Sequence, residues 1–560
     1  MPPSTIRGAV RAAIERAYLE ALESGALPRD PDGGGPPAVE VERPGDPTHG
    51  DYASNLALKL ARPLHRPPLQ IAAAIAALVH DPAVATVEVA PPGFLNVRLS
   101  PESLAASVDA ALAAGEGFGR IAAPAGGPRR INVEFVSANP TGPLHIGNAR
   151  GAFVGDLLCR VLEAAGHRVT REYYFNDFGA QVRNLGATVR AVRAGRPIPE
   201  DGYHGAYLDE LAAKLPADTS GSSGSDASGS AASDQQVGAW ASEQVRAGIE
   251  ASLARLGVRF DVWKSEGSLY TDGHVAAALE RLAAAGTTYE QDGALWFRST
   301  AYGDDKDRVL RKSDGQYTYF GSDVGYLVDK FGRGFDELIY LWGADHHGTV
   351  ARLRNAAEAM ALGAEHVRIL LIAWVRFVRD GREISMSKRA GEFITLDELL
   401  AEIGVDAARW FFAARGHTVG IDFDIELAKK QSAENPVYYV QYAHARISSI
   451  LRKAAEADLE AASTMAPEAL ADDPIAAALA LRALRLPEVV EDAATAEETQ
   501  GLTTFATELA TAFHAYYRDR RVVDPEDPAT SAQRLRLVSA VRLALARSLG
   551  LLGISAPESM

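Results

Sequence analysis

The sequence contains little cysteine, few lysines and no long apolar run. Its single cysteine, Cys159 among 560 residues, excludes an intrachain disulfide and a zinc site built from several thiolates. No apolar run approaches the roughly 18 residues that a membrane span requires. Residues 1–11 also lack the apolar core of a signal peptide. We therefore expect a cytoplasmic protein that has no membrane partner.

Basic residues are outnumbered in this sequence. The 57 lysines and arginines against 73 acidic residues leave a net charge of −16, which argues against a nonspecific binder of polyanions. A specific nucleic-acid partner is compatible with this charge, because such binders can confine their basic residues to one face. The hydrophobic fraction of 47% is that of a globular protein, and at about 150 residues per domain the length predicts three or four domains.

Glycine and proline separate the first part of the chain from the rest. Residues 4–25 carry apolar positions at helical spacing, and Val87–Leu99 reads as a strand. The glycine- and proline-rich residues 115–128 then predict a linker. We therefore expect a small α+β domain over residues 1–115.

The middle of the chain alternates between strand-like and helical runs. The predicted strands include Arg168–Phe175, Asp336–Trp342 and His366–Val375. This alternation is typical of a parallel sheet with crossover helices. It predicts an α/β domain over residues 116–403. The pattern beyond it, over residues 404–560, is almost wholly helical and predicts an all-α helix bundle.

One interruption of the α/β domain has no large apolar residue. Thr219–Ser233 reads T-S-G-S-S-G-S-D-A-S-G-S-A-A-S. Such a segment buries too little apolar surface to offset the entropy lost on ordering. We predict a disordered insertion at about residues 217–235.

The most informative stretch runs from Ile131 to Asp156. A β-rich run meets a cluster of proline and glycine at residues 139–143, and helical spacing resumes after it. A strand, turn and helix in this order bring free N–H groups and the positive end of a helix dipole to the edge of a sheet, where anions bind. His145 and Asn148 would share one face of the first turn. The stretch predicts a nucleotide pocket, although taken alone it fits a structural loop equally well, and it is neither a Walker A loop nor a Rossmann glycine motif.

A second polar segment, Ile384–Gly391, reads I-S-M-S-K-R-A-G and contains Lys388, one of only ten lysines. A lysine in a polar loop is usually a solvated surface charge. Phosphate displacement, however, requires mobile positive charge near the developing oxyanions, which a lysine on a loop supplies. Lys388 is therefore a candidate catalytic residue.

Three residues elsewhere fit the chemistry of a guanidinium pocket. Such a pocket requires carboxylates that accept forked N–H donors and a flat or hydroxylated neighbour. Glu134 lies in the first strand, and Tyr319 and Asp323 are four residues apart, so they would share one helical face. An edge-strand glutamate and an ordinary aspartate at a helix start fit these positions equally well. Adjacent His346 and His347 point different ways in either regular structure and do not predict zinc.

The two polar segments together resemble the signatures of class I aminoacyl-tRNA synthetases. H-I-G-N at residues 145–148 is similar to H-I-G-H, and M-S-K at residues 386–388 is similar to the end of K-M-S-K. Two departures remove positive charge: Asn148 replaces the final histidine and Ser385 replaces the first lysine. These departures bear on the rate at which the amino acid is activated more than on whether it is activated.

Five longer motifs narrow the resemblance to the bacterial arginyl-tRNA synthetases. They occur in order, and H-G-D-Y-A-S-N and the tail L-L-G-I-S-A-P-E-S-M resemble the two ends of the same family, so the resemblance covers nearly the whole chain apart from the serine-rich insertion. The motifs are S-A-N-P-T-G-P-L-H-I-G, Y-Y-F-N-D-F-G-A-Q, W-G-A-D-H-H-G, M-S-K-R-A-G-E-F-I-T-L-D-E-L and N-P-V-Y-Y-V-Q-Y-A-H-A-R.

The resemblance implies an N-terminal α+β domain at the tRNA elbow, a Rossmann-like catalytic domain and a C-terminal helical anticodon-binding domain. It implies ATP with Mg²⁺, L-arginine and tRNA(Arg) as ligands, and we expect a monomer without a protein-held metal. The implied catalytic residues are Lys388 and His145. The implied ATP-binding residues are Pro143, His145, Gly147, Asn148, Ser385, Met386, Ser387 and Lys388. The implied arginine ligands are Glu134, Asn139, Tyr319, Asp323, Asp345 and His346. The implied tRNA-binding residues are Tyr438, Tyr442, Arg446, Arg452 and Met560.

Two other functions remain open on the sequence. The departures at Asn148 and Ser385 allow a non-catalytic tRNA-binding paralogue. A nucleotidyltransferase without tRNA shares the H-I-G chemistry but does not need a helical C-terminal domain. Aromatic core packing is likewise an alternative for the tyrosines near residue 440.

Overall fold

The chain forms three consecutive units in a computed structural model that describes residues 5–30, 35–124, 126–216, 233–384 and 394–560. The first unit is built on a three-stranded sheet in the order β1-β3-β2, with antiparallel pairs. The predicted strand Val87–Leu99 is in fact most of a hairpin, because Pro91 cannot donate to a ladder and the chain turns there. The elements are α1 (Ile6–Glu23), β1 (Tyr52–Ser54), α2 (Leu56–Leu60), α3 (Pro68–Ala76), β2 (Val84–Ala90), β3 (Phe94–Leu99) and α4 (Pro101–Ala114).

The second unit is organised around a five-stranded parallel sheet in the order β11-β10-β4-β5-β6. The predicted parallel sheet with crossover helices is confirmed. Its strands are β4 (Arg130–Glu134), β5 (Arg168–Phe175), β6 (Val262–Ser265), β10 (Glu337–Gly343) and β11 (Val367–Ile372). The helices between them are α5 (Ala149–Ala164), α6 (Ala180–Arg193), α7 (Tyr207–Lys214), α8 (Asp234–Arg255), α9 (Glu266–Thr271), α10 (His274–Ala284), α11 (Tyr319–Gly332) and α12 (His347–Ala359).

Two smaller sheets extend this unit. Three strands, β7 (Thr288–Gln291), β8 (Ala294–Phe297) and β9 (Arg308–Arg311), form an antiparallel sheet. The other sheet has the order β13-β12-β14 and joins β12 (Val375–Arg379), β13 (Arg382–Glu383) and β14 (Ile421–Asp424). The predicted strand His366–Val375 is therefore the whole of β11 and the first residue of β12. Helices α13 (Leu396–Ile403), α14 (Val405–Ala413) and α15 (Ile425–Lys429) complete the elements before the bundle.

The third unit is a helix bundle whose buried leucines, alanines and valines form one hydrophobic cluster with those of the parallel sheet and α5. The helical prediction beyond residue 404 is confirmed except for β14, which pairs with β12 and was not predicted. A four-residue strand is too short for its alternation to be distinguished from a helix turn. The helices are α16 (Pro436–Glu456), α17 (Glu468–Ala471), α18 (Pro474–Ala483), α19 (Leu486–Ala496), α20 (Gly501–Asp519) and α21 (Pro528–Leu552).

The end of the serine-rich segment is ordered. Residues 217–232 lie outside the described residues, but Ser233 is the N-cap of α8 and its side chain accepts a hydrogen bond from Gln236. Gln236 in turn accepts from the Ser233 N–H at 2.8 Å. This capping box begins a regular helix at Asp234, so the prediction of disorder is wrong for residues 233–235.

Candidate active site

A cavity of about 440 Å³ opens at the carboxyl edge of the parallel sheet, between the ends of β4 and β10 and the first turns of α11. Open α/β sheets bind ligands at this edge. Aromatic rings and three acidic or imidazole side chains make up most of its wall. The lining residues are Glu134, Val136, Ser137, Tyr174, Tyr319, Asp323, Tyr326, Tyr340, Leu341, Trp342, Gly343, His346, Thr349 and Leu353.

Tyr319 and Asp323 reach this cavity from the same face of α11. Thr318 caps the helix by accepting a hydrogen bond from Gly321, so the helix begins at Tyr319 and brings the two side chains together one turn apart. Tyr319 is 72% exposed. Asp323 has no ion-pair or hydrogen-bond partner among the described residues. Burial, with Glu134 and Glu266 nearby, raises the pKa of Asp323 to about 7, although Lys330 opposes this rise. The pocket therefore carries a carboxylate that lacks a cation.

Glu134 is the last residue of β4, and it is paired within the protein. Its Oε2 accepts a hydrogen bond from Lys330 Nζ at 2.6 Å, and its Oε1 accepts one from Ser137 Oγ at 3.1 Å. Both side chains are buried, Lys330 completely. A buried carboxylate is costly without a cation, and this cation comes from the chain itself. Glu134 lines the pocket as predicted, but as half of an ion pair.

A second buried acid lies beside Glu134 in the sheet. Glu172 on β5 is the register partner of Glu134 and accepts a hydrogen bond from Tyr326 Oη. It also accepts one from each terminal nitrogen of Arg333, both at 2.7 Å. Burial by itself would raise the pKa of Glu172, but Lys330, Arg333 and Tyr326 outweigh it and lower the pKa to about 2. Glu172 is thus compensated within the fold and does not line the cavity.

Of the three residues predicted to bind the two ends of the amino acid, one lines the cavity and two do not. His346, which follows β10, lines the cavity, whereas its neighbour Asp345 does not, and both side chains are largely exposed. Asn139 lies outside the cavity wall as well. Its amide donates to Gln181 Oε1 at 2.9 Å and its Oδ1 accepts from the N–H of Asn176. The structure brings together Glu134, Tyr319, Asp323 and His346, but not Asn139 or Asp345.

The predicted nucleotide turn lies between β4 and α5. A 3₁₀ turn, Ile146–Asn148, precedes α5, and His145 is its N-cap. The His145 Nδ1 accepts from the Gly147 N–H at 3.1 Å, and Asn148 Oδ1 accepts from the His145 N–H at 3.2 Å. Burial lowers the pKa of His145, which favours the neutral imidazole. Pro143, His145 and Gly147 are exposed, so this turn presents its backbone to solvent.

Tight packing holds this turn against the sheet. A Cβ on Gly155 of α5 would lie 2.3 Å from the ring of Phe135, so only glycine permits this approach of the helix. The buried Arg150, in the first turn of α5, donates to the carbonyls of Ala373 at 2.9 Å and Gly416 at 2.8 Å. These contacts join the start of α5 to the loops that flank β12 and β14.

The residues that follow the second predicted signature segment lie against the first one. The Ile146 N–H donates to the Ile394 carbonyl at 3.1 Å, and the Leu396 N–H donates to the Leu144 carbonyl at 2.9 Å. Residues 385–393 lie outside the described residues, and with them Ser385, Met386, Ser387 and Lys388. Their carboxyl-terminal flank pairs with the His145 turn, and Ile384, on the other flank, donates to the Phe377 carbonyl. Backbone hydrogen bonds therefore fix the residues on both sides of positions 385–393, and those on the carboxyl-terminal side lie against the His145 turn.

The residues predicted to contact tRNA lie on α16 and at the chain end. Tyr442 is 41% exposed, and the Arg446 guanidinium lies 5.8 Å from its ring centroid and 4.6 Å from that of Tyr517. Arg452 donates to the Glu558 carbonyl at 3.2 Å, two residues before the exposed Met560. Tyr438 is partly buried, so neither it nor Tyr442 is a core residue.

Sequence reasoning did not identify Lys330, Tyr326 and Tyr340, which surround Glu134. The spacing of Asp323, Tyr326 and Lys330 at three and four residues on α11 was a signal, because it places all three on one helical face. Within the described part of the chain, no group of three histidines, cysteines or acids is arranged to hold a metal ion. No described helix has the length and apolar character needed to cross a bilayer.

Comparisons with known proteins agree with this arrangement. Residues 4–99 match the model of the arginyl tRNA synthetase N terminal domain, and residues 108–196 and 234–422 match that of the class I (R) tRNA synthetase catalytic domain. Residues 440–560 match the DALR anticodon binding domain.

Whole-chain relatives lead to the same family. An arginine–tRNA ligase of Geobacillus kaustophilus is 44% identical over 531 residues, covering 94% of this chain and 95% of the relative. One of Frankia alni is 44% identical over 567 residues and covers both chains fully. The structure of Thermus thermophilus arginyl-tRNA synthetase, at 24% identity, has the same fold, with a TM-score of 0.76 over 99% of this chain and all of that one. The chain therefore belongs to the bacterial-type class I arginyl-tRNA synthetases.

Proposed function

We propose that this protein is an arginine–tRNA ligase. In a first step the carboxylate of arginine attacks the α-phosphate of ATP, which forms arginyl-adenylate and releases pyrophosphate. In a second step the terminal ribose hydroxyl of tRNA(Arg) attacks the adenylate carbonyl and releases AMP. The observation that carries the proposal is the cation-free carboxylate of Asp323 in an aromatic cavity at the sheet edge.

The cavity suits a guanidinium better than a neutral side chain. A guanidinium pairs with a carboxylate through two parallel N–H bonds and stacks on aromatic faces. Asp323 offers the carboxylate, and Tyr319 and Trp342 supply flat surfaces in the same wall. We propose that Asp323, Tyr319 and Glu134 bind the guanidinium, and that His346, with Asn139 or Asp345, binds the amino and carboxylate ends.

ATP would bind at the turn after β4. Gly147, whose own N–H donates to His145 Nδ1, has no side chain to obstruct a ligand at the turn, and the first turn of α5 offers a positive dipole end to phosphates. We propose that Pro143, His145, Gly147 and Asn148 contact ATP, together with Ser385, Met386, Ser387 and Lys388. Lys388 would neutralise charge that develops on the phosphates, and His145 would assist as a neutral hydrogen-bonding group. Mg²⁺ would accompany ATP, held mainly by phosphates and water.

Transfer requires that the tRNA reach all three units. We propose the domains 1–115 for the tRNA elbow, 116–403 for catalysis and 404–560 for the anticodon, acting as a monomer in the cytoplasm. Tyr438, Tyr442, Arg446 and Arg452 would contact anticodon bases, and Met560 would contact the tRNA. The exposed ring of Tyr442 beside the Arg446 guanidinium supports this assignment, because stacking and cation–π contacts bind single-stranded bases.

The test is attachment of labelled amino acids to total tRNA in the presence of ATP. We expect arginine to be attached, and lysine and citrulline to be rejected. Binding of tRNA without any attachment would contradict the proposal and favour a non-catalytic tRNA-binding paralogue. Adenylate formation without transfer would instead favour a nucleotidyltransferase.

A further inference from the structure

The ammonium group of Lys330 occupies a built site behind the wall of the cavity. It lies 2.6 Å from Glu134 Oε2, 4.3 Å from the ring centroid of Tyr326 and 3.9 Å from that of Tyr340. Its side chain is completely buried. A carboxylate and two aromatic faces are the groups that stabilise a desolvated ammonium. Lys330 itself does not line the cavity, whereas the three residues that surround it do.

Most of the charged groups around the cavity form ion pairs. Glu134 pairs with Lys330, Glu172 pairs with Arg333, and Asp329 pairs with Lys264 and Arg333. Burial raises the pKa of Glu266, which accepts hydrogen bonds from Ser322 and Tyr270 and does not line the cavity. Other titratable groups in this cluster are His274, Tyr174 and Tyr340, Tyr326 on α11 itself, and Asp177 near Glu266.

Of the two acids that line the cavity, Asp323 is thus the one for which no described residue supplies a counter-charge. Without Lys330, Glu134 and Asp323 would place two negative charges in one small desolvated space, and like charges at close range hold one proton between them. Without Glu134, in contrast, Lys330 would place an unpaired positive charge beside the incoming guanidinium. Whether Asp323 is ionised, and can therefore pair with a guanidinium, depends on Lys330 as well as on the acids.

We propose that Lys330 is a specificity-determining positioning residue: by compensating Glu134 from behind the cavity wall, it lets Asp323 carry the negative charge of the pocket, which one guanidinium neutralises. It also holds Glu134 in a single orientation, with Oε1 toward Ser137. This inference rests on the proposed function, because it takes arginine as the ligand of the cavity.

The test is whether removing the charge of Lys330 changes KM for arginine in opposite directions when Glu134 is present and when Glu134 is replaced. Lys330→Met keeps the length of the side chain and removes the charge. In the wild-type background it should raise KM for arginine by about tenfold or more, because the two acids then share a proton and Asp323 is less often ionised. In the Glu134→Gln background the same change should lower KM for arginine by about tenfold, because it removes a cation that repels the substrate. KM for ATP should stay within about threefold throughout.

The pH profile gives a second readout that a purely structural role would not change. In Lys330→Met, Asp323 should hold its proton to higher pH, so KM for arginine should fall steeply between pH 7 and 9. In the wild-type protein KM should already be level above about pH 8, because the pKa of Asp323 is about 7. A rise in KM that is equal at every pH would overturn the proposal.

Lys264→Met is the matched control. It removes an ammonium group of β6 that lies 3.1 Å from Asp329, a residue on the same helix as Lys330. Lys264 and Asp329 do not line the cavity. We expect it to leave KM for arginine within about twofold. Loss of arginine binding on removal of Lys330 in both backgrounds would mean that the lysine only supports the fold. If Lys330→Met does not fold, the comparison of Glu134→Gln with the double variant still decides the question, since the double variant buries no unpaired charge.

Failure of this inference differs from failure of the proposed function. If the wild-type protein attaches arginine to tRNA but the sign of the effect does not change, only the role of Lys330 is wrong. If the wild-type protein attaches no arginine and its cavity does not bind free arginine, both are wrong.

Discussion

Two buried glutamates, Glu134 and Glu488, meet cations from distant parts of the chain, yet their surroundings differ. Glu488 on α19 accepts hydrogen bonds from the Arg7 N–H at 3.1 Å, from Arg43 Nε at 3.2 Å and from the Tyr52 hydroxyl, so it joins the first unit to the helix bundle. Glu134 and Glu488 are both buried and hydrogen-bonded. Burial and the carboxylate of Glu488 raise the pKa of Tyr52 far above its ordinary value, which keeps that hydroxyl a donor.

The difference lies in what remains unpaired. Around Glu488, three donors converge on one carboxylate, and Glu491 and Asp492 pair with Arg7 at the edge of the same cluster. Around Glu134, the neighbouring Asp323 has no cation among the described residues, and an aromatic cavity opens in front of it. Unpaired charge in a desolvated cavity costs stability and indicates a binding site. A change at Asp323 should therefore affect ligand binding, and one at Glu488 should affect stability.

The largest expected effect is that of Asp323→Asn. This change keeps shape and hydrogen bonding but removes the charge, and loss of one partner of a buried ion pair costs about 3 to 5 kcal/mol. KM for arginine should therefore rise by roughly two orders of magnitude or more, with KM for ATP nearly unchanged. Steady-state charging kinetics measure both constants.

Citrulline sharpens this prediction. It resembles arginine in shape but is uncharged, so the native site should reject it and the Asp323→Asn variant should reject it less strongly relative to arginine. Equal losses for arginine and ATP would mean that Asp323 supports the fold, and the comparison with Glu488 would then fail.

Lys388→Ala should give the next largest effect, on rate instead of affinity. If the lysine stabilises charge that develops on the phosphates, its loss should lower kcat by roughly a hundredfold or more, about 3 kcal/mol. Equilibrium binding of arginine should remain nearly intact, because the residue is predicted to contact ATP only. Single-turnover charging measures the rate. Unchanged turnover would exclude a catalytic role for Lys388.

Acid should weaken arginine binding through Asp323. The raised pKa of about 7 means that this carboxyl is largely protonated at pH 6 and ionised at pH 8. A guanidinium pairs with the ionised form, so KM for arginine should rise about tenfold from pH 8 to pH 6, one factor of ten per unit below the pKa. Charging assays across this range, with KM for ATP as the control, test the direction. A KM for arginine that is independent of pH would contradict it.

Glu488→Ala should affect stability without weakening arginine binding. Removing the common acceptor of Arg7, Arg43 and Tyr52 leaves buried donors unpaired, at about 3 to 5 kcal/mol of unfolding free energy. Urea unfolding measures this change, and KM for arginine should stay within about twofold. Glu491→Ala, at a half-exposed site beside Arg7, is the matched control and should cost about 1 kcal/mol or less. Equal costs at the two positions would show that burial does not distinguish them.

The sequence was sufficient for the architecture because periodicity and turn residues are local. Arg168–Phe175 is a strand with the predicted bounds, and Tyr319 and Asp323 share a helix face. The pairing of Glu134 with Lys330 could not be predicted, since the two residues are 196 positions apart and their contact depends on which strand lies under α11. The predictions were wrong where the structure of a segment depends on the strand that it pairs with. Strand β14 forms because β12 offers it an edge, and Val87–Leu99 folds back on itself as a hairpin.

The smallest expected effect concerns the serine-rich segment. Deleting residues 219–232 should leave charging within about twofold and stability little changed, because each doubling of loop length costs only about 0.6 kcal/mol. Ser233 is retained because its side chain caps α8, and Asp234 pairs with Arg190 at 2.9 Å. Extending the deletion through Ser233 should cost about 1 kcal/mol more by removing the cap. A loss of arginine binding on the shorter deletion would mean that this segment contributes to the cavity, and the unpaired charge of Asp323 would then not account for the site alone.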